Sequence, residues 1–169
     1  MSLASFAHWL EERHWALDFS GSGYAYPIVL AIHLSCIALF GGMILMTNLR
    51  LLGWALTGYS VSEVLGRLRV WKRAGLLIMV SCGLLLAGSE AGKYYANPYF
   101  AFKMALLGLL AVHALVFRRG IYRHPEMLDS APSLPGRAKI AAITSLILWT
   151  GVVCAGRLIG YHIRIGALP

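Results

Sequence analysis

The sequence predicts an all-α integral membrane protein, a four-helix up-down-up-down bundle preceded by an amphipathic surface helix, and three observations carry that expectation. Hydrophobic residues fill 59% of the 169 positions and charged residues 13%, against about a quarter charged in a soluble domain. Mean hydropathy is +0.68. Apolar runs at about 27–47, 74–88, 100–117 and 140–159 approach or reach the ~20 residues that cross a bilayer's hydrocarbon core. Basic residues gather beside these runs on one side of the predicted membrane.

Taken in order, residues 1–23 are expected to form one interfacial helix. Leu3, Phe6, Ala7, Leu10 and Leu17 recur at helical spacing, with Trp9 and Trp15 beside charged residues. Glu11, Glu12, Arg13 and Asp18 interrupt it, so it is expected to be retained and not cleaved as a secretory leader. Gly21-Ser22-Gly23 releases the chain into a four-span unit at 24–162. Tyr24 and Tyr26 suit the interface, and Pro27 suits a first helical turn. Span 1 ends near Thr47, with Asn48 and Arg50 at its exit.

Residues 59–73 are helical in pattern but basic, so the second span is expected to be short, borrowing a turn from Val70 and Trp71 and ending at Glu90 and Lys93. Asn97-Pro98 supplies a cap and a first-turn proline for the third. Residues 118–139, with Pro125, Pro132 and Pro135, read as irregular. The fourth span leaves Arg157 near an interface, His162 outside, and a short tail at 163–169.

Charge sets the expected orientation. Arg50, Arg67, Arg69, Lys72 and Arg73 flank one connection and Arg118, Arg119, Arg123, Arg137 and Lys139 another, whereas the opposite side carries Arg13, Lys93, Arg157 and Arg164. The positive-inside bias therefore places both termini outside the cytoplasm. The net charge of +8 is accounted for by lipid and insertion, and calls for no nucleic acid. Cys36, Cys82 and Cys154 are odd in number and all lie within spans, which argues against a disulfide framework or a thiolate zinc site. No phosphate-cradling loop or nucleophile triad is present, so nucleotide and hydrolase chemistry are not expected.

Two imidazoles, His33 and His113, lie inside apolar runs. Ionisable groups there are costly and point to function, and haem held between helices by axial His or Met is a recurring arrangement. Both histidines are candidate metal ligands. Their distances from the span ends differ by roughly 10 Å in depth, which disfavours one haem shared between them. Depth matching instead pairs His33 with Lys103 and Met104, and His113 with Met43 and Met79, for one or two haems b. Packing histidines are the alternative, with His33 bonded to a carbonyl or to Ser81 and His113 near enough to the inner end to meet water or lipid phosphate. Lys103 is expected to snorkel first, and otherwise to hold a propionate or a substrate carboxylate; Arg157 is a second candidate for a carboxylate. The glycines, Gly156 and Gly160 among them, read first as helix-packing residues. His162 is the histidine outside the spans best placed to approach an outer site.

His33 followed seventeen residues on by Arg50 in N-L-R-L-L-G, with Lys103 and His113 ten apart, resembles the four-helix, haem-b-binding protoporphyrinogen oxidase family and the related copper-resistance membrane proteins. The motifs N-P-Y-F-A-F-K and W-T-G-V-V-C-A-G-R are closer to a group of small, uncharacterised bacterial membrane proteins of similar build. The surface helix lies outside the oxidase pattern, as does the lack of an aromatic pair after Arg50. The resemblance matches His33 to that family's first-span histidine and Lys103 to its third-span lysine, and implies a bacterial inner (cytoplasmic) membrane with both termini periplasmic. The expected function is a b-type cytochrome-like protein passing electrons between the quinone pool and a periplasmic partner, with quinone a candidate second cofactor. It would act alone, as a homo-oligomer or as a subunit of a larger complex. A protoporphyrinogen oxidase-type enzyme and a non-redox metal-handling or assembly subunit are the alternatives.

Overall fold

In a computed structural model, residues 3–117, 125–129 and 134–166 are described. Among the described residues eight helices follow in order: α1 (Leu3–Glu11), α2 (His14–Gly21), α3 (Ala25–Leu52), α4 (Val61–Ser89), α5 (Ala91–Tyr95), α6 (Pro98–Phe117), α7 (Glu126–Asp129) and α8 (Gly136–Gly166). The helices α3, α4, α6 and α8 are each long and apolar enough to cross a membrane, which makes this a multi-pass membrane protein. Leu39, Leu77, Leu84 and Leu115 face outward and are at least 65% exposed. Such surface calls for lipid cover.

Contacts fix the helix directions. On α3 and α4, Tyr26 meets Glu90 at one end and Thr47 meets Lys72 at the other. Asn48 of α3 bonds Ser145 of α8, while Gly41 lies against Trp149. His113 of α6 reaches Ala141 and Asn97, just before α6, reaches Ile159. Each of these pairs is antiparallel, and the helices line up as α4–α3–α8–α6. Between α4 and α6 there is little contact, so that edge of the bundle is open.

The packed core lies at the basic end and not in the apolar middle. Leu51 and Leu52 of α3, Val61 and Leu65 of α4, Leu128 of α7, and Ala138, Ala141 and Ala142 of α8 are buried together. Arg67, Arg69, Lys72 and Arg73 would be costly in hydrocarbon, so α4 projects past the bilayer on this side. Apolar groups there meet water and must be covered by protein. The stretch expected at 59–73 to be helical but basic and the span expected at 74–88 lie on one 29-residue helix that runs from Val61, its first turns basic outside and apolar inside.

Local chemistry sets the helix ends at the basic face. Gly53 ends α3 in a left-handed turn at φ 76°, with Trp54 N–H bonding back to Leu49 C=O. Ser60 caps α4 by accepting from Glu63 N–H. The carboxylate of Asp129 completes that cap from α7, accepting from Val61 N–H at 2.6 Å and Ser62 N–H at 3.1 Å. Slight burial opposes its ionisation, yet the Ser62 hydroxyl, these two N–H groups and Arg50 hold the Asp129 carboxyl below its usual range. The span expected from 140 begins at Gly136, directly after Pro135, and α7 gives order to a stretch expected to be irregular.

At the far end, the single surface helix expected at 1–23 is two helices, broken near Glu12 and Arg13. They pack on protein: Trp15 and Leu10 lie over Gly88, and Glu11 accepts from Gly92 N–H. Tyr26 donates to Glu90, which also pairs with Lys93. Asn97 caps α6 as expected, accepting from Tyr99 N–H.

Two outcomes follow. Because Asp129 is more acidic folded than unfolded, its contribution is complete above the unfolded value near pH 4 and is lost as pH falls through the lower folded one. Asp129→Asn should therefore lower the melting temperature slightly at pH 7, by on the order of 0.5 kcal/mol for an exposed cap, and the difference should shrink in melts below about pH 4. A Cβ at Gly41 would lie 2.7 Å from Trp149 Nε1, so Gly41→Ala should cost about 1–3 kcal/mol through overpacking, read as a lowered melting temperature in detergent.

Candidate functional site

The site is built where four helices present one residue each. On α3, His33 points at α4, where a Cβ on Gly83 would come within 3.1 Å of the imidazole Cε1. Only glycine leaves the ring that space without a shift. On α6, Lys103 points at α8, its Nζ 3.7 Å from where a Cβ on Gly156 would be. The ammonium lies close enough to His33 to act on it electrostatically. The imidazole and the ammonium thus share the interior of the bundle, at the level predicted by counting depth from the span ends.

One nitrogen of His33 is left without a hydrogen-bond partner in good geometry. Its Nδ1 is shut off from the surroundings with no acceptor in bonding geometry, although the Met79 carbonyl lies alongside the ring. Ser81, the hydroxyl considered as a partner, is exposed. A buried unpaired nitrogen costs about 1–3 kcal/mol. Metal-ligating imidazoles commonly direct one nitrogen at the metal and the other at a backbone carbonyl, and the Met79 carbonyl is placed for that second role. Lys103 is half-buried and has no carboxylate in an ion pair with it among the described residues.

His113 differs. It is buried, its Nε2 lies 3.0 Å from the Ala141 carbonyl, and its ring packs on Phe117 at 4.8 Å between centroids. It belongs to a polar layer at the basic end that the sequence reading did not single out. In that layer Asn48 is 1% exposed and donates to Ser145, and Lys72 donates to Thr47. Asn48 was read only as a span exit; its place before the buried Leu51-Leu52 pair was the available signal. Fifteen residues of α8 separate Gly156, beside Lys103, from Ala141, beside His113, which is roughly 20 Å along the axis. That exceeds the 10 Å offset expected from the span ends, a count that takes α3 and α6 to start level and untilted. One iron bound by both histidines is excluded by that separation.

The remaining candidates scatter. Met104 is 51% exposed on the outside of α6, a correction to its pairing with His33: one position past Lys103, it is turned about 100° away. Met79 is buried beside His33, not near His113, because the antiparallel register sets Gly83 opposite His33. Met43 touches Gly75, between the two levels. Arg157 lies over the Tyr161 ring at 4.9 Å, on an exposed face. His162 stacks edge-on against Tyr99 and helps line a cleft of about 300 Å³ with Lys93 and Asn97. Gly156 meets Lys103, but Gly160 faces open space, so they do not form a joint packing motif. Among the described residues, no cluster of three His, Cys, Asp or Glu is arranged to hold a bare metal ion.

The contrast between the two imidazoles is measurable. His33→Leu removes an unpaired polar group and should leave thermal stability of the cofactor-free protein unchanged or raised. His113→Leu strands the second lone pair of the Ala141 carbonyl and should cost about 1 kcal/mol or more.

No curated protein and no solved structure matches the chain. One family model does, over residues 8–162, which takes in the end of α1, all of α2–α7 and most of α8. The chain therefore belongs to that family, described as a family of unknown function (DUF6644).

Proposed function

We propose that the protein is a membrane b-type cytochrome, holding one haem b through His33 and passing electrons between the quinone pool and a partner on the outer face of a bacterial cytoplasmic membrane. The observation that carries this reading is the buried, unbonded His33 nitrogen in the middle of an apolar bundle. The residues present fit the group. An imidazole is a common iron ligand, Gly83 leaves room for the ring, and the weakly joined α4–α6 edge gives a flat macrocycle a way between helices. Lys103 supplies a cation for a propionate. Bound haem supplies one-electron chemistry, while the chain orients His33 and keeps bulk water from it. Arg50, Arg67, Arg69, Arg73, Arg137 and Lys139 lie at one end of the long helices, which supports a cytoplasmic basic end and periplasmic termini.

A second reading follows from Lys103. An ammonium beside His33 with no acidic partner also suits a substrate carboxylate, as in porphyrinogen oxidation. Complementation of a strain lacking that activity separates the two readings, and failure at full expression counts against the enzyme.

For the cytochrome, the purified protein should show a Soret band and a pyridine haemochrome stoichiometry near one. His33→Ala should abolish the band and His113→Ala should retain it. A colourless preparation from haem-replete cells would falsify the proposal.

A further inference from the structure

We propose that the basic end of α4 carries a binding site for the phosphate of an anionic phospholipid. Leu65, Arg69, Lys72 and Arg73 line a cleft of about 200 Å³. At 100° per residue these positions fall within one 100° arc of the helix, so the three cations form a single face above the buried Leu65. Arg67 lies on the opposite side, where it pairs with Glu63 at 2.8 Å. Glu63 and Glu90 are held away from the cleft by Arg67 and Lys93.

Lys72 is held in place by its hydrogen bond to Thr47 of α3, so one of the three charges is fixed while the two arginines remain exposed. Three like charges around a small cleft repel one another, and a bound anion offsets that repulsion. Guanidinium groups match phosphate oxygens with paired donors.

The adjoining surface specifies a lipid and not a soluble phosphate. One turn past Arg73, Leu76 and Leu77 face outward, 46% and 70% exposed, and they open the apolar face of the span. A headgroup seated on the cations would lay its acyl chains along that face, with charge at the interface and hydrocarbon against hydrocarbon. Basic clusters at the cytoplasmic ends of spans attract anionic lipid by about 1 kcal/mol per residue.

The test is the melting temperature of the purified full-length protein in a neutral detergent, titrated with phosphatidylglycerol, phosphatidylcholine or inorganic phosphate. Phosphatidylglycerol should raise it by at least about 2 °C, with no comparable rise from the other two. Arg69→Gln/Arg73→Gln should lose the response and Arg67→Gln should keep it. Equal protection by phosphatidylcholine, or by phosphate alone, overturns the proposal, as does an undiminished response in the double variant. Should that variant not fold, native mass spectrometry of the wild-type protein decides: one retained phosphatidylglycerol in a mixture with excess phosphatidylcholine supports the site, and indiscriminate lipid retention refutes it. Neither readout depends on haem, so the result stands apart from the cytochrome reading.

Discussion

In hydrocarbon there is no water to complete a hydrogen bond, and this one condition organises the molecule. Leucine, isoleucine and valine can face outward along the long helices because lipid covers them, so the usual demand for a large apolar interior disappears. What remains strict is the treatment of polar groups. Thr47 turns its hydroxyl back to the Met43 carbonyl while accepting from Lys72, Asn97 is occupied on both sides of its amide, and His113 finds Ala141. Two buried side-chain atoms among the described residues depart from this pattern, Asn48 Oδ1 at the basic end and His33 Nδ1, and of the two only the imidazole lies in the apolar middle of the bundle.

The same condition explains why the protein-covered core is displaced to one end. Once α4 carries arginines, its apolar stripe leaves lipid and meets water, and Val61 and Leu65 then need α3, α7 and α8 for cover. Two solvents act on one continuous helix, and each side chain follows the one it meets. Glycine serves the packing here, since Gly41 admits an indole where any side chain would collide and Gly83 admits an imidazole where a Cβ would be crowded.

Much of this was legible from residue order, because hydropathy and length decide whether a helix spans. Asn97-Pro98 marked the start of α6, and His33 and Lys103 were correctly matched in depth. What escaped has physical causes. A basic stretch such as 59–73 reads as helical, but residue order left open that it continues unbroken into the apolar run as the single helix α4. The break between α1 and α2 has no glycine or proline to announce it. Met104 and Lys103 are neighbours in sequence, yet helical rotation sends one outward and the other inward, and only the packing of α6 on α8 fixes which. The partner of His113 is a backbone carbonyl, which leaves no trace in side-chain identity.

The bond from Asp129 to the start of α4 joins positions 68 residues apart. A ribosome feeding this chain into a membrane delivers α3 and α4 long before α7 emerges. The first hairpin must therefore wait in the bilayer with two amide protons satisfied by solvent at its basic turn, and its closing latch arrives with the segment that leads into the last crossing. Biogenesis of the early half is thus finished by the late half, which makes α7 a point where truncated or stalled chains differ from completed ones.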